Sequence, residues 1–178
     1  MMGLETKFLD AGLRVSADAA VEGYASVFGL RDRGGDIVMP GAYAAALERL
    51  AATGGRVRML WQHDPAQPIG TWDSVHEDAH GLFVKGRLLD TVARGREAAA
   101  LMAAGAVDGL SIGYRTVRAE KLAGGGRRLL ELDLWEVSLV TFPMLSAARI
   151  ARKAALPDAP TLAMLTRGIE AARGALRA

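Results

Sequence analysis

A serine flanked by glycines, in Gly109-Leu110-Ser111-Ile112-Gly113, matches the G-x-S-x-G pattern of serine hydrolases. In α/β-hydrolases the serine lies on a tight turn between a strand and a helix, and the base histidine follows it in the chain. Here residues 114–117 predict a continuing strand, and all three histidines precede Ser111. This order excludes an α/β-hydrolase. It leaves Ser111 either as a nucleophile of another protease class or as a small residue in a strand.

His63 is the best-placed base for that serine. It follows an alternating apolar segment, residues 56–62, which predicts a strand that delivers His63 to its end. We expect Asp64-Pro65 to end this strand. An imidazole changes its protonation state near neutral pH and can take a hydroxyl proton, which suits it as a general base. His76 and His80 share a predicted loop and are weaker candidates.

Glu136 is the candidate for the third group of a catalytic triad. It lies in an otherwise apolar predicted strand, where an unpaired carboxylate would be costly to bury. It could orient the imidazole of His63 and stabilise its charged form. It could equally form a structural ion pair with Arg115 or Arg58. The reserve candidates for the third group are Asp36 and Asp133.

His76-Glu77-Asp78-Ala79-His80 matches H-E-x-x-H, the zinc-protease motif. That motif needs a helix, because only helical spacing places both imidazoles on one face beside the metal. Here the motif lies between two strand-like segments, residues 69–75 and 82–89, and is followed by Gly81. We therefore interpret it as a hairpin loop and expect no bound metal. A zinc metalloprotease remains the less favoured enzymatic alternative.

The predicted elements that position these residues indicate an α+β fold with a mainly antiparallel sheet or barrel. Helices are expected from Pro40 to Gly54 and over residues 91–104. Residues 1–150 form one predicted domain, and residues 151–178 a linker and an amphipathic C-terminal helix. The apolar stripe of that helix comprises Leu162, Leu165, Ile169, Ala172 and Leu176.

Composition narrows the class of protein. The 178 residues are 51% hydrophobic and 24% charged, as in ordinary globular domains, with a net charge of +2. The absence of cysteine excludes disulfides, thiol nucleophiles and thiolate metal sites. Neither a secretory signal nor an apolar stretch long enough to span a membrane is present, so we expect a soluble intracellular protein. The six basic residues of 149–178 are interpreted as a solvated helix face, and a nucleic-acid partner is not expected.

Five ordered segments together resemble the prohead protease family of tailed phages, which also occurs in gene transfer agents. The segments are Gly23-Tyr24-Ala25-Ser26-Val27-Phe28, Gly35-Asp36-Ile37-Val38, Leu60-Trp61-Gln62-His63-Asp64, Gly109-Leu110-Ser111-Ile112-Gly113-Tyr114 and Trp135-Glu136-Val137-Ser138-Leu139-Val140-Thr141-Phe142-Pro143. The resemblance implies a serine endopeptidase with a β-barrel flanked by helices, related to herpesvirus assemblin. It also implies that the protein cleaves scaffold and the major capsid protein's scaffolding segment. This takes place in the bacterial cytoplasm, inside the immature capsid.

Matched by motif, Ser111 is the nucleophile, His63 the general base and Glu136 the third member. Assemblins use a second histidine in the third place, and this chain has no histidine after Ser111. The implied chemistry needs no cofactor or metal. The apolar stripe of the C-terminal helix is expected to dock on the protease body, on a second copy or on scaffold. The non-enzymatic alternative is a catalytically idle structural protein of the capsid or scaffold.

Overall fold

The computed structural model describes residues 19–150, which form seven strands and two helices. The predicted linker and C-terminal helix, residues 151–178, lie outside the described residues, as do residues 1–18. The helices are α1 (Ala44–Thr53) and α2 (Ala93–Ala103). The strands are β1 (Ala20–Val27), β2 (Ile37–Val38), β3 (Arg58–Trp61), β4 (Asp64–Glu77), β5 (Gly81–Leu88), β6 (Gly109–Lys121) and β7 (Arg127–Val140).

All seven strands belong to one curled sheet in the order β1-β5-β4-β3-β7-β2, with β6 paired to the other edge of β7. Four pairings are antiparallel, whereas β3 and β2 run parallel to β7. Short bridges from Ile150 to Gly23 and from Arg149 to Gly109 place the end of the described chain between β1 and β6. The sheet is therefore curled toward a barrel, with both helices packed against it.

The core lies on the inner face of the curled sheet. Long apolar side chains from five strands are fully buried there: Val21, Ile69, Leu82, Val84, Leu110, Leu132 and Leu139. Burial of each such side chain contributes about 1.5–3 kcal/mol. Ala46 of α1 and Ala98 of α2 join the same cluster. Neither helix within residues 19–150 is long and apolar enough to cross a membrane.

Two predicted boundaries are wrong for local backbone reasons. Helix α1 begins at Ala44 rather than at Pro40, because Gly41 has a φ of 85°, far from helical values. The strand that leads to His63 ends at Trp61, before the turn at Gln62 and His63, and Asp64-Pro65 begins β4 instead of ending β3. Register shifts between β3 and β4 accommodate the prolines at the exposed start of β4.

The H-E-x-x-H segment forms the end of a strand and a tight turn, as predicted, and not a helix. His76-Glu77 are the last residues of β4, and the Asp78 carboxylate accepts the backbone N–H groups of His80 (2.7 Å) and Gly81 (3.0 Å). The Tyr24 hydroxyl also donates to Asp78, at 2.5 Å, and this bond lowers the pKa of Asp78. The carboxylate of this motif therefore organises a hairpin turn.

Candidate active site

His63 lies in a two-residue hairpin turn between β3 and β4. Gln62 and His63 have φ values of 54° and 63°, and Trp61 pairs with Asp64. Positive φ at both central residues is the signature of a type I′ turn, which matches the twist of an antiparallel hairpin. The Gln62 N–H donates to the carbonyl of Leu139 on β7 at 2.9 Å. The turn is therefore anchored to the neighbouring strand, and the His63 side chain is 42% exposed.

Glu136 on β7 contacts the imidazole directly. Its Oε1 lies 2.5 Å from His63 Nδ1, and the residue as a whole is only 8% exposed. An ionised carboxylate can only accept, so Nδ1 must carry the proton in this pair. The Nε2 atom of a neutral His63 is then left with a free lone pair. This is the tautomer that a general base for a serine hydroxyl requires.

The second oxygen of Glu136 is also bound. Ser138, two residues further along β7, donates its hydroxyl to Glu136 Oε2 at 2.5 Å. The same Ser138 Oγ accepts the backbone N–H of His63 at 3.2 Å. Both carboxylate oxygens are thus held by named partners, although the residue is almost fully buried.

Gly113 makes room for this carboxylate. It pairs with Glu136 in the antiparallel β6–β7 ladder. A methyl group at Gly113 would overlap the Glu136 Oε1, Cδ and Cγ atoms. The second glycine of the G-x-S-x-G motif therefore allows Glu136 to lie across β6, rather than allowing a turn after the serine.

Ser111 lies on the same sheet face as this cluster. It pairs directly with Ser138 across the β6–β7 ladder and is 5% exposed. Side chains opposite each other in such a ladder have Cβ atoms about 4.5–5.5 Å apart. No hydrogen bond joins Ser111 to His63 in the described part of the chain, and such bonds are often loose before substrate binds. The structure thus joins His63 to Glu136 and places Ser111 beside the residue that bonds both.

A cavity of about 120 Å³ opens beside Ser111, between β1 and β6. Leu30 and Met144 contribute apolar surface to it, and Asp32 and Tyr114 contribute polar atoms. Burial and the nearby carboxylates raise the pKa of Tyr114, with burial the larger cause. Ser111 therefore borders an enclosed space rather than flat surface.

The two reserve candidates are occupied elsewhere. Asp36 is buried and accepts Arg127 Nη2 at 2.5 Å and Nε at 3.1 Å, a contact that raises the pKa of Arg127. Asp133 accepts Arg49 at 2.8 Å and Arg115 at 3.1 Å. Neither carboxylate contacts His63 among the described residues.

Within residues 19–150, no arginine is paired with Glu136. The Glu136 carboxylate contacts His63 and Ser138, whereas Arg115 is paired with Asp133.

Across residues 19–150 no cluster of three or more histidine or acidic side chains has metal-binding geometry. His76 instead contacts Ser74, at 3.1 Å.

Two residues of this site were missed in the sequence. Ser138 follows Glu136 at the i+2 position, which in a strand places both on one face, and it interrupts an apolar run. A second polar residue on the same face as Glu136 was therefore the signal in the sequence that could have identified Ser138. The role of Gly113 gave no signal, because it depends on the register between two strands.

Comparison with known sequences finds similarity to prohead proteases. A family model described as caudovirus prohead serine protease matches residues 7–159. The prohead protease of Enterobacteria phage HK97 is 37% identical over 133 residues, which are 73% of this chain and 58% of that protein. The chain thus spans little more than half the length of this curated relative.

Solved structures share the fold. The capsid assembly protease of bacteriophage T4 has a TM-score of 0.56 at 17% identity, with 70% of this chain and 82% of that chain covered. The KSHV protease, solved with a hexapeptide phosphonate inhibitor, has a TM-score of 0.50 at 15% identity, with 74% and 63% covered. At such identities the likeness concerns the fold alone. It confirms the predicted assemblin-like architecture in outline.

Proposed function

The chain belongs to the caudovirus prohead serine protease family, and from this premise we propose that it is a serine endopeptidase of capsid maturation. Its substrates are the scaffold and the scaffolding segment of the major capsid protein. It acts inside the immature capsid, in the cytoplasm of the bacterial host. The nucleophile is Ser111, the general base is His63, and Glu136 orients the base.

One observation carries the proposal: the 2.5 Å contact between His63 Nδ1 and Glu136 Oε1, on the sheet face that also bears Ser111. A structural histidine would need neither a buried carboxylate partner nor 42% exposure of its ring. Here one nitrogen is committed to Glu136, and the ring is accessible to a substrate. That combination suits an imidazole that exchanges a proton.

The first half of the reaction forms an acyl-enzyme. Ser111 Oγ attacks the scissile carbonyl carbon while its proton passes to His63 Nε2. The Glu136 carboxylate stabilises the imidazolium that results and remains ionised throughout. The tetrahedral intermediate then collapses, and His63 gives its proton to the leaving amine as the C–N bond breaks.

The second half releases the acyl group. A water molecule enters where the amine left, and His63 Nε2 takes its proton as the oxygen attacks the acyl carbon. When the new carboxyl group departs, the proton returns from His63 to Ser111 Oγ. All proton transfers use residues of this chain, so the cycle needs no metal or other cofactor.

The substrate assignment is supported by the family and by the prohead protease of phage HK97. The test is to incubate the purified protein with its cognate capsid precursor and to identify new termini by mass spectrometry. We expect defined cuts that Ser111→Ala and His63→Ala abolish. An idle capsid or scaffold protein would produce no new termini under any condition.

A further inference from the structure

We propose that Ser138 is a positioning residue, which holds the imidazole of His63 through Glu136. This inference rests on the proposed function of the site. In the described chain, the Ser138 hydroxyl is the only protein group that contacts both the backbone of His63 and the carboxylate of Glu136. Together the three residues form a closed ring of hydrogen bonds.

The direction of each bond in this ring follows from the groups themselves. The carboxylate of Glu136 only accepts, so the single hydroxyl proton of Ser138 is donated to its Oε2 atom. The Ser138 oxygen is then free to accept the N–H of His63. Ser138 is 0% exposed, so bulk solvent does not reach its hydroxyl. Loss of the hydroxyl would leave one buried carboxylate oxygen without this donor.

This ring of hydrogen bonds also stabilises the turn at Gln62 and His63, whose residue types do not favour that turn. Type I′ turns prefer asparagine or glycine, because both central residues have positive φ. Here the positions are filled by Gln62 and His63, with larger side chains. The N–H of His63 is fixed from outside the turn by Ser138. The Ser138 hydroxyl therefore restrains both the backbone of His63 and Glu136, which is the partner of the His63 imidazole.

Ser138 is not a second nucleophile. Its proton is committed to Glu136, and its complete burial denies a peptide carbonyl access to Oγ. Ser111, its cross-strand partner, is 5% exposed and borders the cavity. The two serines thus have different roles on neighbouring strands.

The test compares Ser138→Ala with Thr71→Val, which removes a half-buried hydroxyl from β4 that contacts neither His63 nor Glu136 in the described chain. We expect Ser138→Ala to lower kcat roughly 10- to 100-fold with KM little changed, by analogy with other residues that support a reactive group. Thr71→Val should keep wild-type kcat. Ser138→Cys, which retains a weak donor, should lie between wild type and Ser138→Ala.

A thermodynamic cycle separates positioning from simple packing. If Ser138 acts through Glu136, the double variant Ser138→Ala/Glu136→Gln should lose no more kcat than Glu136→Gln alone. Losses that multiply would overturn the inference. So would wild-type kcat in Ser138→Ala.

A spectroscopic readout makes the result independent of proteolysis. A proton in a short His–carboxylate bond resonates at unusually low field in NMR spectra. We expect this His63 signal in wild type and in Thr71→Val, and its loss or displacement in Ser138→Ala. An unchanged signal would overturn the inference. A displaced signal in a protein whose wild type cuts no substrate would instead support the ring and reject the proposed protease function.

Discussion

Gly113 lies opposite Glu136 in the β6–β7 ladder, and the Glu136 carboxylate occupies the space that a side chain on Gly113 would fill. A glycine on one strand therefore permits the contact between a carboxylate on the neighbouring strand and an imidazole in the β3–β4 turn.

Gly113→Ala should lower proteolytic activity by at least one to two orders of magnitude, because the new methyl group must displace Glu136 from His63. Removing an orienting group lowers the kcat of serine enzymes by several orders of magnitude at most, and displacing the group should lower kcat less. Peptide cleavage by the purified variant measures the effect. Gly124→Ala is the matched control, since a methyl group there meets open space. Wild-type activity in Gly113→Ala would contradict the packing argument.

Ser111→Ala should reduce proteolysis by several orders of magnitude with nearly unchanged Tm, since only one atom is removed from the folded protein. His63→Ala should match this loss, and the double variant should add almost nothing. A hydroxyl that served only as a hydrogen-bond donor would cost about 0.5–1.5 kcal/mol of stability and leave activity normal. Ser74→Ala, on an exposed stretch of β4, is the control. In a producing cell, mature processed capsids made with only the Ser111→Ala chain would refute the assignment.

Asp36→Asn should destabilise the fold without changing the chemistry. Its side chain, 11% exposed, binds Arg127 and so ties the loop before β2 to the β6–β7 hairpin. Loss of charged hydrogen bonds of this kind costs about 1.5–3 kcal/mol, measured by denaturant unfolding. Asp73→Asn, in an exposed pair with Arg87, should cost under about 1 kcal/mol. A large loss of kcat in fully folded Asp36→Asn would bring Asp36 back as the third catalytic group.

Asp133 should affect the pH dependence of stability and not catalysis. The hydrogen bond from Arg49 lowers the pKa of Asp133 in the folded state. Its stabilising contribution is therefore complete above the unfolded pKa, near 3.9, and is lost as the pH falls through the lower folded value. Unfolding curves of wild type and Asp133→Asn should differ most above about pH 4 and converge below it. A difference that grows on acidification would contradict this linkage.

Zinc chelation should leave proteolysis intact, and His80→Ala should cost little. His76 and His80 lie at a strand end and in a turn, where His80 packs edge-on against Tyr24 at 4.5 Å between ring centres. The helical geometry of a zinc protease is missing from this segment. Activity that is lost on chelation and restored by added zinc would move the site to these histidines.

Local patterns in the sequence were enough to identify the candidate catalytic residues. Ser111, His63 and Glu136 were identifiable because each is a reactive type in a local pattern: a glycine-flanked serine, a histidine after a strand and a carboxylate in an apolar run. Period-two alternation also located most strands, since a half-buried strand must alternate. The order of the histidines before Ser111 was enough to exclude an α/β-hydrolase.

The contacts among these residues, in contrast, depend on long-range packing of the sheet. The partner of Glu136 was open in the sequence between His63 and an arginine, because strand register is set by long-range packing and not by local pattern. Parallel pairing of β3 with β7 brings His63 beside Glu136, although 73 positions separate them in the chain. The roles of Ser138 and Gly113 have the same origin. Each depends on which residue lies opposite on the neighbouring strand, and that is fixed only when the whole sheet has formed.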